Sequence, residues 1–376
     1  MYNSDNGYPI STITYDDGLY KGQLIDGVPN GQGRLLWKNG NVYEGSFSSG
    51  KPHGYGKFVW TSGNYYEGDW VNGKRTGKGK YVRNTGDSYE GDFVDGKRTG
   101  YGKITWANGD FYEGDVVNGN ANGSGKFTWN SGNVYEGDFV NGVREGKGKY
   151  TRTNGDLYLG DFIDNKRTGT AFMSWANGDT YNGDVVNGKR QGCGTYVYAN
   201  GDTYIGAFTN DKREGKGKLV WANGDSYEGD WQRGKRMGQG TFVWANGDSY
   251  EGDFVNDERT GFGKYISASG SAYEGQFENG VRQGRGTLVM SNGDTYEGDF
   301  ENDKRQGYGT YRYANGNIYM GYFSGGKRQG KGKLMFSNGD IYEGDFADGK
   351  RTGYGTITYA NGDSRFGQWQ DNKFIG

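Results

Sequence analysis

One tyrosine returns every 23 residues. It stands at positions 20, 43, 66, 89, 112, 135, 158, 181, 204, 227, 250, 273, 296, 319 and 342, with no insertion anywhere between them. A fixed period of this length marks a repeat architecture, in which each repeat is one supersecondary unit and neighbouring units bury each other's apolar face. Counted from the tyrosine, glycine occupies positions +2 and +11 of all sixteen units, +20 of the fifteen complete ones, and +13 everywhere except Ala171. The sixteenth tyrosine slot holds Arg365. Glycine reaches 75 of 376 residues, nearly three times ordinary usage. Aromatic residues stand at 16%, too many for a disordered linker. There is no Gly-X-Y triplet period, which removes collagen.

The stretch YEGDFVDGKRTGYGKITWANGD, Tyr89 to Asp110, shows the period inside a unit. Tyr89, Gly91 and Phe93 alternate with Glu90 and Asp92; Gly100, Gly102, Ile104 and Trp106 alternate with Tyr101, Lys103 and Thr105. A two-residue period is the signature of a strand with one apolar face. The segment VDGKRT reads as the turn between two strands, and ANGD as the turn to the next unit, Asn-Gly favouring positive φ. Each unit is then one β-hairpin, and no helical pattern is present. Placing Tyr89 opposite Trp106 sets Gly91 against Ile104 and Phe93 against Gly102, so that each large side chain lies over bare backbone. On the other face Asp92 would oppose Lys103, with Asp115 of the next unit reaching the same lysine.

The expected fold is all-β: an elongated, twisted, single-layer antiparallel sheet of about 15–16 tandem hairpins. Residues 1–19 read as a partial N-terminal unit or cap, 20–364 as fifteen full repeats and 365–376 as a truncated sixteenth. About 32 strands at ~4.8 Å would extend roughly 150 Å, with a twist of about 20–25° per strand. A one-layer sheet needs a cover for its aromatic face. That need predicts an aromatic groove built from Tyr66, Trp70, Tyr89, Phe93, Trp106, Tyr227, Trp231 and Trp244, ready for an amphipathic helix, an extended peptide or a second copy. Open strand edges at either end predict a homo-oligomer.

Charge and residue counts narrow the chemistry. The formal net charge is −2, so no general attraction to nucleic acid is expected. One cysteine, Cys193, and one histidine, His53, leave no Ser-His-Asp or Cys-His set and no thiolate or histidine metal cluster. Carboxylates recur in every unit without a distinctive pair, and no Gly-x4-Gly-Lys-Ser/Thr occurs. The expectation is a protein that is not an enzyme and carries no cofactor. With no signal peptide and no run of ~18 apolar residues, it reads as cytoplasmic.

The pattern Tyr-x-Gly-x-(Phe/Trp)-x-x-Gly-x-x-x-Gly-x-Gly, here Tyr66, Gly68, Trp70, Gly73, Gly77 and Gly79, resembles the MORN (membrane occupation and recognition nexus) repeat. The resemblance covers about residues 20–376. It implies tandem hairpins in one antiparallel sheet and a scaffold or adaptor role in the cytoskeleton, the axoneme of a cilium or flagellum, or the membrane cortex. Catalytic domains appended to some members have no counterpart here. The resemblance also implies an alternative, an anionic phospholipid (phosphoinositide)-binding module.

Two further features bear on these readings. Lys74-Arg75, Lys97-Arg98, Lys212-Arg213 and Lys235-Arg236 form a repeated basic turn edge that suits an anionic membrane or an acidic protein, set against the plainer reading of solubilising turn residues. Leu159 and Ile205 replace the usual glutamate and Phe172 the usual lysine, which predicts a small apolar partner patch on the polar face, with Leu159 and Phe172 as diagonal neighbours. A regulatory subunit of a separately encoded enzyme would carry the same signature as a scaffold.

Overall fold

The computed structural model describes residues 9–376, so the first eight residues of the expected 1–19 cap lie outside the described residues. The chain forms two compact units, 9–189 and 190–376. No helix is present among the described residues. In the first unit, sixteen strands run from Ile10–Tyr15 to Thr180–Val186. In the second, seventeen run from Lys189–Val197 to Lys373–Phe374. Within each unit every strand pairs antiparallel with its neighbours in the chain, as tandem hairpins require.

The hairpin loop is tighter than the sequence suggests. The strands Ser88–Val94 and Lys97–Thr105 are joined by Asp95 and Gly96 alone. Both residues have positive φ, 49° and 82°, the two-residue loop whose twist matches that of the strands. Lys97, Arg98 and Thr99 therefore belong to a strand and not to a turn. The loop to the next unit is the wider one: Gly109 N–H donates to the Trp106 carbonyl at 2.9 Å and Trp106 N–H to the Asp110 carbonyl at 2.9 Å. Gly109 takes the left-handed conformation at its end, φ 89°.

The register differs from the expected one by two residues. Tyr89 pairs with Ile104, Gly91 with Gly102 and Phe93 with Arg98. The two-residue loop alone would set Tyr89 against Gly102; a bulge between Gly91 and Phe93, with Thr99, Gly100 and Tyr101 opposite Asp92, moves the pairing on to Ile104 and leaves Trp106 beyond the strand. Asp92 stands opposite the bulge, and its carboxylate accepts the Tyr101 N–H at 3.0 Å. Glycine thus faces glycine within the hairpin, and Gly102 meets Gly114 of the next unit as well. In each unit of the chain this makes a stripe of bare backbone across the strands. The Tyr89 ring lies along it: a Cβ placed on Gly102 would stand 2.5 Å from Tyr89 Cε2.

Candidate binding surfaces

Two ring ladders share the face that carries the glycine stripe. The inner ladder is built from the tyrosine at position zero and the Phe or Trp at +4. Tyr66 meets Trp70 edge-on at 5.2 Å and Phe93 of the next repeat at 4.9 Å. Each tyrosine hydroxyl donates to the carbonyl three residues on, as Tyr89 does to Asp92 at 2.9 Å. Burial, followed by the nearby Asp92 charge, pushes the Tyr89 phenol up to about 12. The Trp70 indole N–H donates to the Gly56 carbonyl at 3.1 Å.

This ladder closes on itself without a second layer. Tyr66, Tyr89 and Tyr227 are 0% exposed, and Trp70, Phe93 and Trp231 are buried with them. Six of the eight expected groove residues are therefore core and offer no docking surface. The reason is local: one side of each tyrosine is taken by the glycine stripe and the other by ring edges, joined by a guanidinium wherever position +9 is arginine. Trp106 and Trp244, the remaining two, are half-buried and belong to the outer ladder.

The outer ladder runs through positions +15 and +17. Trp106 contacts Phe127 at 5.3 Å, and Phe127 contacts Trp129 at 4.6 Å. In the second unit Trp221, Phe242 and Trp244 repeat the arrangement at 5.3 and 4.5 Å. These tryptophans are half-buried, unlike the rings of the inner ladder.

Between the ladders lies the arginine at +9. The Arg75 guanidinium sits 5.6 Å from the Tyr66 and Phe93 rings and 5.8 Å from Trp60. Its Nη2 donates to the Gly96 carbonyl at 2.8 Å. Arg213 repeats this on Trp231 at 4.1 Å and on the Gly234 carbonyl at 2.7 Å. Arg236 reaches Tyr227 at 5.6 Å and the Asp257 carbonyl at 2.7 Å. Burial holds the Arg75 and Arg98 guanidinium groups below the usual arginine range. The arginines of the expected basic edge are thus folded inward as covers for the ring face, where cation–π contact suits them. Lys74, Lys97, Lys212 and Lys235 do project outward. Lys74 reaches Asp95 of the next hairpin loop at 3.1 Å, an exposed pair of small energetic weight.

The acidic edge is also structural. Asp110 accepts the Asn130 N–H of the following loop at 2.7 Å and the Asn108 amide at 2.9 Å. Consecutive loops are stapled in this way along each unit, and no group of three or more His, Cys, Asp or Glu among the described residues is placed to hold a metal ion.

On the opposite face the ion pairs follow the corrected register. Lys103 meets Glu113 at 3.2 Å, and Lys78 meets Asp92 at 2.7 Å. Leu159 and Phe172 are directly opposed across the hairpin, not diagonal. They are 51% and 38% exposed and border a depression of about 230 Å³ with Ala171 and Asn182. Ile205, in the second unit, is 56% exposed and pairs with Thr195 and Lys218. Sequence reasoning missed other exposed rings on this face, among them Tyr101, Phe262 and the contacting pair Tyr308 and Tyr322 at 5.5 Å. Tyr101, Phe262 and Tyr308 stand at the variable position +12 and Tyr322 replaces the usual aspartate at +3, so periodicity carries no signal for them.

A two-residue hairpin loop, a paired glycine stripe and a stacked tyrosine, recurring every 23 residues, define a tandem β-hairpin repeat protein. The MORN repeat profile matches fifteen consecutive segments, from 20–42 to 342–364, and the chain belongs to the MORN repeat family. None of the curated proteins compared with it matches. Among solved structures it is similar to the SAS-4 TCP domain of Drosophila melanogaster in complex with a proline-rich motif of Ana2. That likeness has 13% identity, covers 48% of this chain and 85% of that one, and has a TM-score of 0.25. The Danio rerio CPAP TCP10 domain in complex with a STIL peptide shows 11% identity over 67% of this chain and 96% of that one, with a TM-score of 0.22. A streptogramin B lyase gives 12%, 71%, 89% and 0.13 in the same order. TM-scores this low carry no information about function. Among the described residues no helix is long and apolar enough to cross a membrane.

Proposed function

We propose that the chain is a non-enzymatic scaffold that joins proteins of the cytoskeleton, axoneme or membrane cortex, its partner an amphipathic helix or extended peptide laid along the outer ring ladder. The half-exposed tryptophans at +17, Trp106, Trp129, Trp221 and Trp244 among them, carry this reading. Large, rigid aromatic side chains with one solvated face are the usual anchors of protein interfaces. The Leu159 and Phe172 pair is a second contact of the same kind on the other face. Self-association through open strand edges completes the proposal, and a light-scattering mass of one chain at micromolar concentration counts against that part.

Capture of crosslinked partners in the native cell tests the main reading. Partners retained by the wild type and lost by Trp106→Ser with Trp244→Ser, at unchanged circular dichroism, support it; identical partner sets refute it. The anionic-lipid alternative has fewer cations available than the sequence suggests, because the arginines are turned inward. Vesicles containing phosphoinositide decide it. Sedimentation that falls steeply with salt and is lost on changing Lys74, Lys97, Lys212 and Lys235 to Ser would replace the scaffold reading with the lipid one.

A further inference from the structure

From Arg75 to Arg351 the +9 position recurs thirteen times, and twelve of the thirteen are arginine; the exception is Ala121. Arg98 and Arg167 stand beside the tyrosine at position zero of their repeats, and Arg75, Arg144, Arg236 and Arg259 stand beside theirs with further rings around them. Arg75 lies near Trp60, Tyr66, Tyr81 and Phe93 at 5.8, 5.6, 5.7 and 5.6 Å and donates to the Gly96 carbonyl. Two repeats further on, the equivalent groups are Trp106, Tyr112, Phe127, Phe139 and the Gly142 carbonyl, with Ala121 in the place of the arginine. Tyr112 is fully buried. Trp106, Phe127, Phe139 and Gly142 all line one depression of about 280 Å³, with Ala121 in its wall. The rings that surround the Arg75 guanidinium have aromatic counterparts here, the carbonyl that accepts its N–H has one too, and the side chain is missing.

The charges around the depression are compatible with a cation. Arg98 borders it, but an arginine one repeat away is the neighbour that the other members of the row also have. Arg83 replaces the +17 tryptophan of its repeat and is drawn toward Asp87 at 3.5 Å; both residues line the rim.

We propose that this depression is a vacant guanidinium socket that takes the side chain of an arginine from a partner protein. The occupant is argued from the molecule itself, since twelve equivalent places in this chain are filled by that group. Arginine suits it better than lysine because the planar fork can stack on rings while its edge donates to a carbonyl. The inference rests on the protein-binding reading and specifies one residue of the partner.

The test uses the full chain with ¹³C-labelled alanine methyl groups and three small probes. N-acetyl-arginine amide should move the Ala121 methyl resonance saturably, with a dissociation constant of about 1 mM. N-acetyl-citrulline amide, of the same shape but uncharged, should leave it in place. Trp106→Ala should weaken the arginine response roughly fivefold to tenfold. Arg144→Ala should open a second socket among Trp129, Tyr135 and Phe162, the rings its guanidinium now covers at 5.4 to 5.5 Å, and the new methyl at position 144 should respond to the same probe. This second variant adds a site and so does not depend on Ala121→Arg, the filling substitution, folding well. Three results overturn the proposal: no movement at roughly 100 mM arginine amide, equal movement with the citrulline compound, or movement with inorganic phosphate alone, which would make Arg83 and Arg98 the controlling charges. A silent socket in a chain whose partners still depend on Trp106 and Trp244 overturns this inference and leaves the scaffold reading standing.

Discussion

Adding one methyl group at Gly91 and, separately, at Gly102 tests how the ring ladder rests on the sheet. At Gly91 the new Cβ would lie 2.5 Å from Gly102 Cα and 2.6 Å from the Tyr101 carbonyl oxygen. Carbon atoms prefer 3.5–4.0 Å, so the overlap is about 1 Å, and it is against backbone locked in the ladder. At Gly102 the nearest atoms are Cε2, Oη and Cζ of Tyr89, at 2.5 to 2.7 Å, the far end of a side chain. The chain already tolerates alanine at the Gly102-equivalent position, as Ala171 beneath Tyr158, and at no Gly91-equivalent one. Overpacking costs about 1–3 kcal/mol; we assign about 3 to Gly91→Ala and about 1 to Gly102→Ala. Each regains ~0.7 kcal/mol of chain entropy on replacing glycine, leaving a difference of about 2 kcal/mol, which is more than tenfold in a local opening equilibrium. Repeat arrays open locally, so the assay is native-state hydrogen exchange by mass spectrometry over residues 88–117, with residues 295–325 as internal control. Gly91→Ala should speed exchange in the first segment at least tenfold more than Gly102→Ala, with the control segment unchanged. Equal effects, or a worse effect at Gly102, would show that the tyrosine and not the paired backbone sets the limit.

Two other outcomes rest on the ring face. The inner tyrosines titrate late because the neutral phenol is favoured by burial; Tyr89, Tyr112, Tyr227 and Tyr296 are each raised to about 12. A group whose folded pKa is raised contributes stability that is complete below its unfolded value near 10 and is lost as pH rises toward 12. Strand circular dichroism should hold to about pH 10 and collapse before pH 12, with the ring resonances of the inner tyrosines, followed apart from those of exposed ones such as Tyr101, shifting in the same interval; inner phenolate at pH 10 with strands intact would contradict this burial. Arg75→Ala should lower the local opening free energy by about 1–2 kcal/mol, since it removes the ring contacts and the donor to Gly96 together. Lys74→Ala, which removes only an exposed pair with Asp95, should stay within about 0.5 kcal/mol, and equal effects in the same exchange assay would refute the inward role of the arginine.

Much of this molecule is legible along the chain because a repeat states its rules many times over. The strand periodicity, the hairpin and the demand of the rings for bare backbone can all be read from Tyr89 to Asp110, since alternation and glycine placement are local properties. Register is not local in that sense. It depends on how many residues the loop uses and whether a bulge intervenes, and the bulge opposite Asp92 shows itself only when that carboxylate is seen to accept the Tyr101 N–H. The two-residue loop and the bulge together set the hairpin pairs two positions from the expected ones, and the loop from Trp106 to Asp110 does the same between repeats, where Lys103 meets Glu113 and not Asp115.

Burial was decided at the same level. A row of Lys-Arg pairs looks identical from the sequence whether the arginines face water or rings. Only the geometry shows them spanning two ladders, because a guanidinium can stack on an aromatic face and donate to a carbonyl at once. By itself the sequence determined the family, the strand pattern and the need to cover an aromatic face. The tertiary structure decided what covers it: the chain's own arginines over the inner rings, with the outer tryptophans half-buried and Ala121 standing where the row otherwise has arginine.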